Sequence, residues 1–154
     1  MGRQSHQRGF TLLEMLTVAT ILAILAAAII PMVKNSLLRQ QELELRRNLR
    51  ELRTAIDSYK TMADQQKIKA PPVASNGYPE SLEVLVEGVP LTGKTTRIRF
   101  LRRIPVDPFT GQAKWGLRSA QDEHDSTSWG GGSVYDVYSL SKGKGMNGIP
   151  YKDW

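Results

Sequence analysis

The chain has no cysteine among its 154 residues, which excludes disulfides, thiolate metal sites and a lipid anchor built on a thiol. Histidine is nearly absent too. His6 stands near the start and His124 stands alone in a polar stretch, so neither has a neighbour that would make it a general base. No glycine-rich phosphate signature and no nucleophile motif is present, and the sequence reads as a non-enzyme. Acidic residues fall short of basic ones, 15 against 21; removing residues 1–9, with Arg3 and Arg8, leaves 19 against 15. An excess of four is too small to argue for a nucleic-acid partner. The longest absence is of charge itself: Met15 to Val33 is an unbroken run of 19 uncharged residues.

At about 1.5 Å per residue, that run is long enough as a helix to cross a hydrocarbon core roughly 30 Å thick. Overall composition is slightly polar, so the remainder is expected to be water-soluble and of single-domain size. One carboxylate, Glu14, sits just inside the apolar block that begins at Phe10. A charge deep in a bilayer costs on the order of 2.5–3.5 kcal/mol on insertion scales, which marks an intramembrane acid as functional. The competing reading places Glu14 at the headgroup boundary, solvated, and physics alone does not choose between them. Ala26-Ala27-Ala28 behind a basic leader also offers conventional secretion, with cleavage before Ile29. Against it, the apolar run continues through Ile29, Ile30, Met32 and Val33. The basic residues flanking the run, Arg3 and Arg8 before it and Lys34, Arg39, Arg46, Arg47 and Arg50 after it, conflict as orientation signals.

Gly9-Phe10-Thr11-Leu12-Leu13-Glu14, behind a short basic leader, resembles the processing site of type IV pilins and of the pseudopilins of type II secretion. The resemblance implies a membrane peptidase that cuts after Gly9 and methylates the new amino terminus at Phe10. It also implies assembly roles for Glu14 and for Pro31, the twenty-second residue after the cut. Pro31 removes a backbone donor and clashes with the carbonyl of Ala27, at about 3 kcal/mol in a regular helix. A kink is the modest consequence; the resemblance adds a segment that loses helicity when subunits pack.

Beyond Val33 the helical pattern continues. Leu38, Leu45, Leu49, Leu52, Ile56, Tyr59 and Ala63 form one apolar stripe, with a Glu42–Arg46 pair at i,i+4. No glycine interrupts residues 10–70 and Pro71-Pro72 forbids continuation, so a helix from Phe10 to about Asp64 is predicted, roughly 80 Å long. The stripe is expected to pack on a small head. There a short helix is predicted over Pro79–Val86, with Pro79 in its first turn, and an extended segment over Arg97–Phe100. Pro105–Gly111 is turn chemistry, and Trp115–Arg118 and Val134–Leu140 are strands. Ser119–Ser133 is a polar loop whose Asp122, Glu123 and Asp125, the only clustered acids, are expected to be solvated.

Tyr78-Pro79, Arg102–Phe109 and Val134–Leu140 ahead of a Trp-ended tail resemble, in that order, the major pseudopilin of type II secretion. The fold expected is α+β and type IV pilin-like: a long amino-terminal helix, membrane-spanning in its first half, packed on a small antiparallel sheet. The expected organisation is a leader (1–9), a transmembrane and assembly helix (10–33) and a periplasmic head (34–154). The resemblance implies a homo-oligomeric helical filament anchored in the inner membrane, with prepilin peptidase, a secretion platform and minor pseudopilins as partners. A type IV pilin for adhesion, motility or DNA uptake is the alternative, the last drawing on Arg97, Arg99, Arg102 and Arg103. Major pseudopilins often bind calcium through aspartates in the loop after the last strand. Here Ser141–Pro150 carries no carboxylate and two lysines, so no metal or other cofactor is expected.

Overall fold

The structure, a computed structural model, describes residues 10–69 and 75–154; the side chains of residues 28–32 also fall outside the description. The chain forms two compact units, Met1–Arg39 and Gln40–Trp154. Helix α1, Leu12–Asp64, contributes to both. Its start is set by Thr11, whose Oγ1 accepts the Glu14 amide at 3.2 Å, the bond an N-cap threonine makes to the third helical residue. The predicted start at Phe10 is thus two residues early.

In the first unit every described side chain from Phe10 to Ala27 is exposed. Among the described residues no helix is long and apolar enough to cross a membrane. The span expected over 10–33 includes residues 28–32, as does the kink expected at Pro31, and these lie where no side chain is described.

In the second unit the predicted stripe is the core. Leu45, Leu49, Leu52, Ile56 and Tyr59 are all buried, joined by Ala55. Around them close Ile68, Leu82, Leu85, Leu101, Trp115, Val134, Val137 and Tyr151. The helix ends with Gln66 at φ 54 and the amides of Gln66 and Lys67 returned to the carbonyls of Ala63 and Met62. It stops well ahead of the two prolines.

The Glu42–Arg46 pair is a correction. Among the described residues the ion pairs are Arg53–Asp136, Arg118–Asp136 and Lys60–Asp64. Glu42 instead accepts the Met146 amide at 2.6 Å and the Tyr151 hydroxyl at 3.3 Å, while Arg46 stacks on Trp154 at 4.3 Å. Contacts to the tail win over an exposed pair worth a few tenths of a kcal/mol.

Helix α2 spans Leu82–Glu87, with Ser81 at the N-cap position but making no side-chain capping bond. Pro79 therefore precedes the cap and does not occupy the first turn. Strands β1 (Val89–Pro90) and β2 (Arg97–Ile98) make one antiparallel pair, extended by a bridge from Ile68 to Leu91. Strands β3 (Gly116–Arg118) and β4 (Asp136–Tyr138) make a second, with Gly116 opposite Tyr138. The α+β, pilin-like expectation holds, with two small sheets where one was foreseen and β1 unforeseen. Gly88, at φ 80, joins α2 to β1, and a Cβ there would stand 2.5 Å from the Ile98 carbonyl oxygen.

Candidate assembly surfaces

The amino-terminal surface is set by which side chains the first unit leaves uncovered. Phe10 is 72 % exposed and Leu12 88 %, and Leu16, Ile21, Leu22, Ile24 and Leu25 are all more than half exposed. A contiguous apolar face of this kind is stable only when something covers it. Glu14 is exposed in the same helical turn as Thr11. The Thr-x-x-Glu spacing of a capping box was present in the sequence and accounts for a local use of Thr11 that the reading of the motif passed over. Gly9 lies outside the described residues, and among the described residues Glu14 makes no ion pair.

The head's surface is organised by one buried acid and two arginines. Asp107 has no exposed surface. Its Oδ1 accepts the amides of Phe109 (2.8 Å) and Thr110 (3.4 Å), and its Oδ2 accepts the Ser139 hydroxyl at 2.6 Å. Asn48 donates to the Val106 carbonyl and Trp115 Nε1 to the Pro105 carbonyl, both at 2.9 Å. The Pro105–Gly111 turn is thereby clamped to α1, to Trp115 just ahead of β3 and to Ser139 just after β4. On the far side, Arg53 reaches Asp136 at 2.7 Å and the main-chain oxygen of Trp154 at 2.8 Å. Arg118, buried, meets Asp136 at 3.7 Å, donates to the Ser126 carbonyl and stacks on Tyr138 at 4.4 Å. No spacing in the sequence announces these partners, which lie 83 and 18 positions from Asp136.

The polar loop is tied down more than expected. Asp122 Oδ2 accepts the amides of Ser119 (2.7 Å) and Gly130 (3.2 Å), and these bonds, Ser119's foremost, hold its carboxyl below the usual range. Glu123 and Asp125 are exposed, as foreseen. Tyr151 is pushed up, first by burial and then by the charge and hydrogen bond of Glu42. Of the arginines considered for nucleic acid, Arg97 spends its guanidinium on the Gly88 carbonyl, at 2.7 and 3.2 Å. Among the described residues no three histidine or carboxylate side chains converge to hold a metal ion.

Comparison with known proteins gives first the class. Residues 4–30 match the prokaryotic N-terminal methylation motif, the segment that contains Gly9, Phe10 and Glu14. Two curated relatives then give the particular likeness. The chain is similar to the type II secretion system core protein G of Pseudomonas aeruginosa, 27 % identical over 144 residues, covering 90 % of this chain and 85 % of the relative. It is also similar to the type II secretion system core protein G of Escherichia coli K12, 28 % identical over 115 residues and 71 % of each chain. No solved structure is matched. The resemblance to type II secretion pseudopilins is borne out by the methylation motif and by the two relatives.

Proposed function

We propose that the chain is the major structural subunit of a periplasmic pseudopilus, a short filament whose growth pushes proteins out through a type II secretion system. The observation that carries this is the contrast between the two units. The head buries a complete core of its own, while the amino-terminal helix exposes a run of large apolar side chains from Phe10 onward. Such a helix is covered by lipid before assembly and by neighbouring helices after it, the inner membrane holding the subunit with its head in the periplasm. The similarity to core protein G over both parts supports the same reading. The role is structural, and the sequence's lack of a catalytic constellation agrees with it.

Maturation tests it. The mature chain is expected to begin at Phe10 with a methylated amine, and Gly9→Val is expected to leave residues 1–9 attached. Intact-mass measurement of the membrane-extracted protein reads both. A mature start at Ile29 would replace this reading with conventional secretion.

A further inference from the structure

Three guanidinium groups border an open groove on the head, and none has a hydrogen bond, ion pair or ring contact among the described residues. The groove, about 500 Å³, runs beside the exposed face of α1 and is bordered by Arg47, Arg50 and Arg102, with Phe100 and Ser58 also lining it and Glu51 as its one acid. Arg47 and Arg50 lie three residues apart and share a helix face, with Arg46 a further cation one turn before Arg50. Like charges so placed repel, and among the described residues no carboxylate forms an ion pair with them, Glu51, four residues after Arg47, being the one acid at hand.

The chain carries a matching feature of opposite sign. Helix α2 turns Leu82 and Leu85 into the core, which leaves Glu83 and Glu87, four residues apart, on its exposed side. Glu80 is exposed just ahead of the cap. None of the three carboxylates has an ion pair among the described residues, and Glu83 and Glu87 are themselves a repelling i,i+4 pair.

We propose that the Arg47–Arg50–Arg102 groove receives the Glu83–Glu87 face of α2 from a second copy of this chain. The groove is lined by α1 and Phe100–Arg102 while the acidic face belongs to α2, so a contact that joins the groove of one copy to the α2 of the next is head-to-tail. Such a contact leaves a free groove at one end and a free α2 at the other, and propagates. The inference rests on the filament reading and says which surfaces of the heads meet. Because all the groups are exposed, the contact is screened by salt and supplies register more than affinity.

The absence of cysteine makes the test site-specific. Thr54→Cys places a thiol beside the groove and Ser81→Cys one beside the acidic face, leaving every charge in place. In the full-length double variant, expressed in cells and treated with a short bismaleimide, a ladder of cross-linked oligomers is expected. Arg47→Glu with Arg50→Glu should abolish the ladder, and adding Glu83→Lys with Glu87→Lys should restore it. Restoration also shows that the first pair of changes had not merely unfolded the head. A ladder indifferent to charge reversal, cross-linking that stops at dimers, or no cross-linking in cells that shed sheared filaments would each overturn the proposal while the filament reading stands. Absence of both ladder and filaments, with mature subunit present in the membrane, would remove the filament reading and this contact with it.

Discussion

Asp107 shows how much a single side chain holds in this head. A fully buried carboxylate is tolerated only when its oxygens are satisfied, and here two amides and one hydroxyl do that. Asp107→Ala leaves those donors buried and unpaired, and is expected to cost about 3 kcal/mol, against roughly 1 kcal/mol for Ser139→Ala. Urea unfolding of the purified chain measures both; equal costs would mean that the hydroxyl carries the site. The sequence marked this stretch as a turn but gave no hint of the burial, because Ser139 lies 32 residues away. Tyr151 contributes a pH dependence at the alkaline end. Its phenol is raised above 10.0, so the folded state holds the proton more tightly than the unfolded one. The stability this represents is full below pH about 10 and is lost as pH rises through the folded value. Burial raises Tyr59 as well, so ultraviolet titration should show two late-titrating phenols, one of which is lost in Tyr151→Phe. Glu42→Gln should lower that one only in part, since burial is the larger cause.

At the scale of elements, α1 is where sequence reading works and where its limit is plain. The stripe from Leu45 to Tyr59 is legible because periodicity is a local property, and every one of those residues is buried. Leu49→Ala is expected to cost about 2–5 kcal/mol of head stability. Leu22→Ala, on the uncovered part of the same helix, is expected to cost none and to weaken membrane retention or assembly instead. Thermal unfolding together with cell fractionation separates the two. The small strands were located but not their partners: β1 is two residues long and contains Pro90, which no propensity marks as a strand. Gly116 was equally silent in the sequence. A Cβ there would meet the Tyr138 ring at 2.1 Å, the ring whose hydroxyl reaches the Thr127 carbonyl and whose face carries Arg118. Gly116→Ala should therefore loosen the Ser119–Ser133 loop as well as β3, seen as faster amide exchange in both segments. Exchange confined to β3 would show the loop to be held by Asp122 and Arg118 without the Tyr138 ring.

For the whole molecule the decisive residue is Glu14, because a local and an intermolecular role make different demands on it. Locally, an acid in the first turn of α1 favours the helix dipole by about 0.3–1 kcal/mol. The cap itself runs from the Glu14 amide to Thr11 and survives any side-chain change. That is too little to decide the fate of a 53-residue helix. The proposed intermolecular role would begin with cleavage after Gly9, leaving a positive amine on Phe10. Among packed apolar helices an unpaired charge is costly and an opposite charge offsets it. Phe10 and Glu14 are four residues apart, about 6 Å of helical rise, so a neighbour shifted along the axis by that much sets its amine level with this carboxylate. Glu14→Ala is accordingly expected to enter the membrane, to be cut after Gly9 and to keep its helix, yet to be left out of filaments. Glu14→Asp, which keeps the charge with a shorter reach, should retain part of the yield. Fractionation, intact mass and sheared-filament assays on the two variants follow each step separately. A wild-type filament yield from Glu14→Ala at equal expression would leave the carboxylate with its local role alone, and assembly would then have to be carried by the apolar face and the heads.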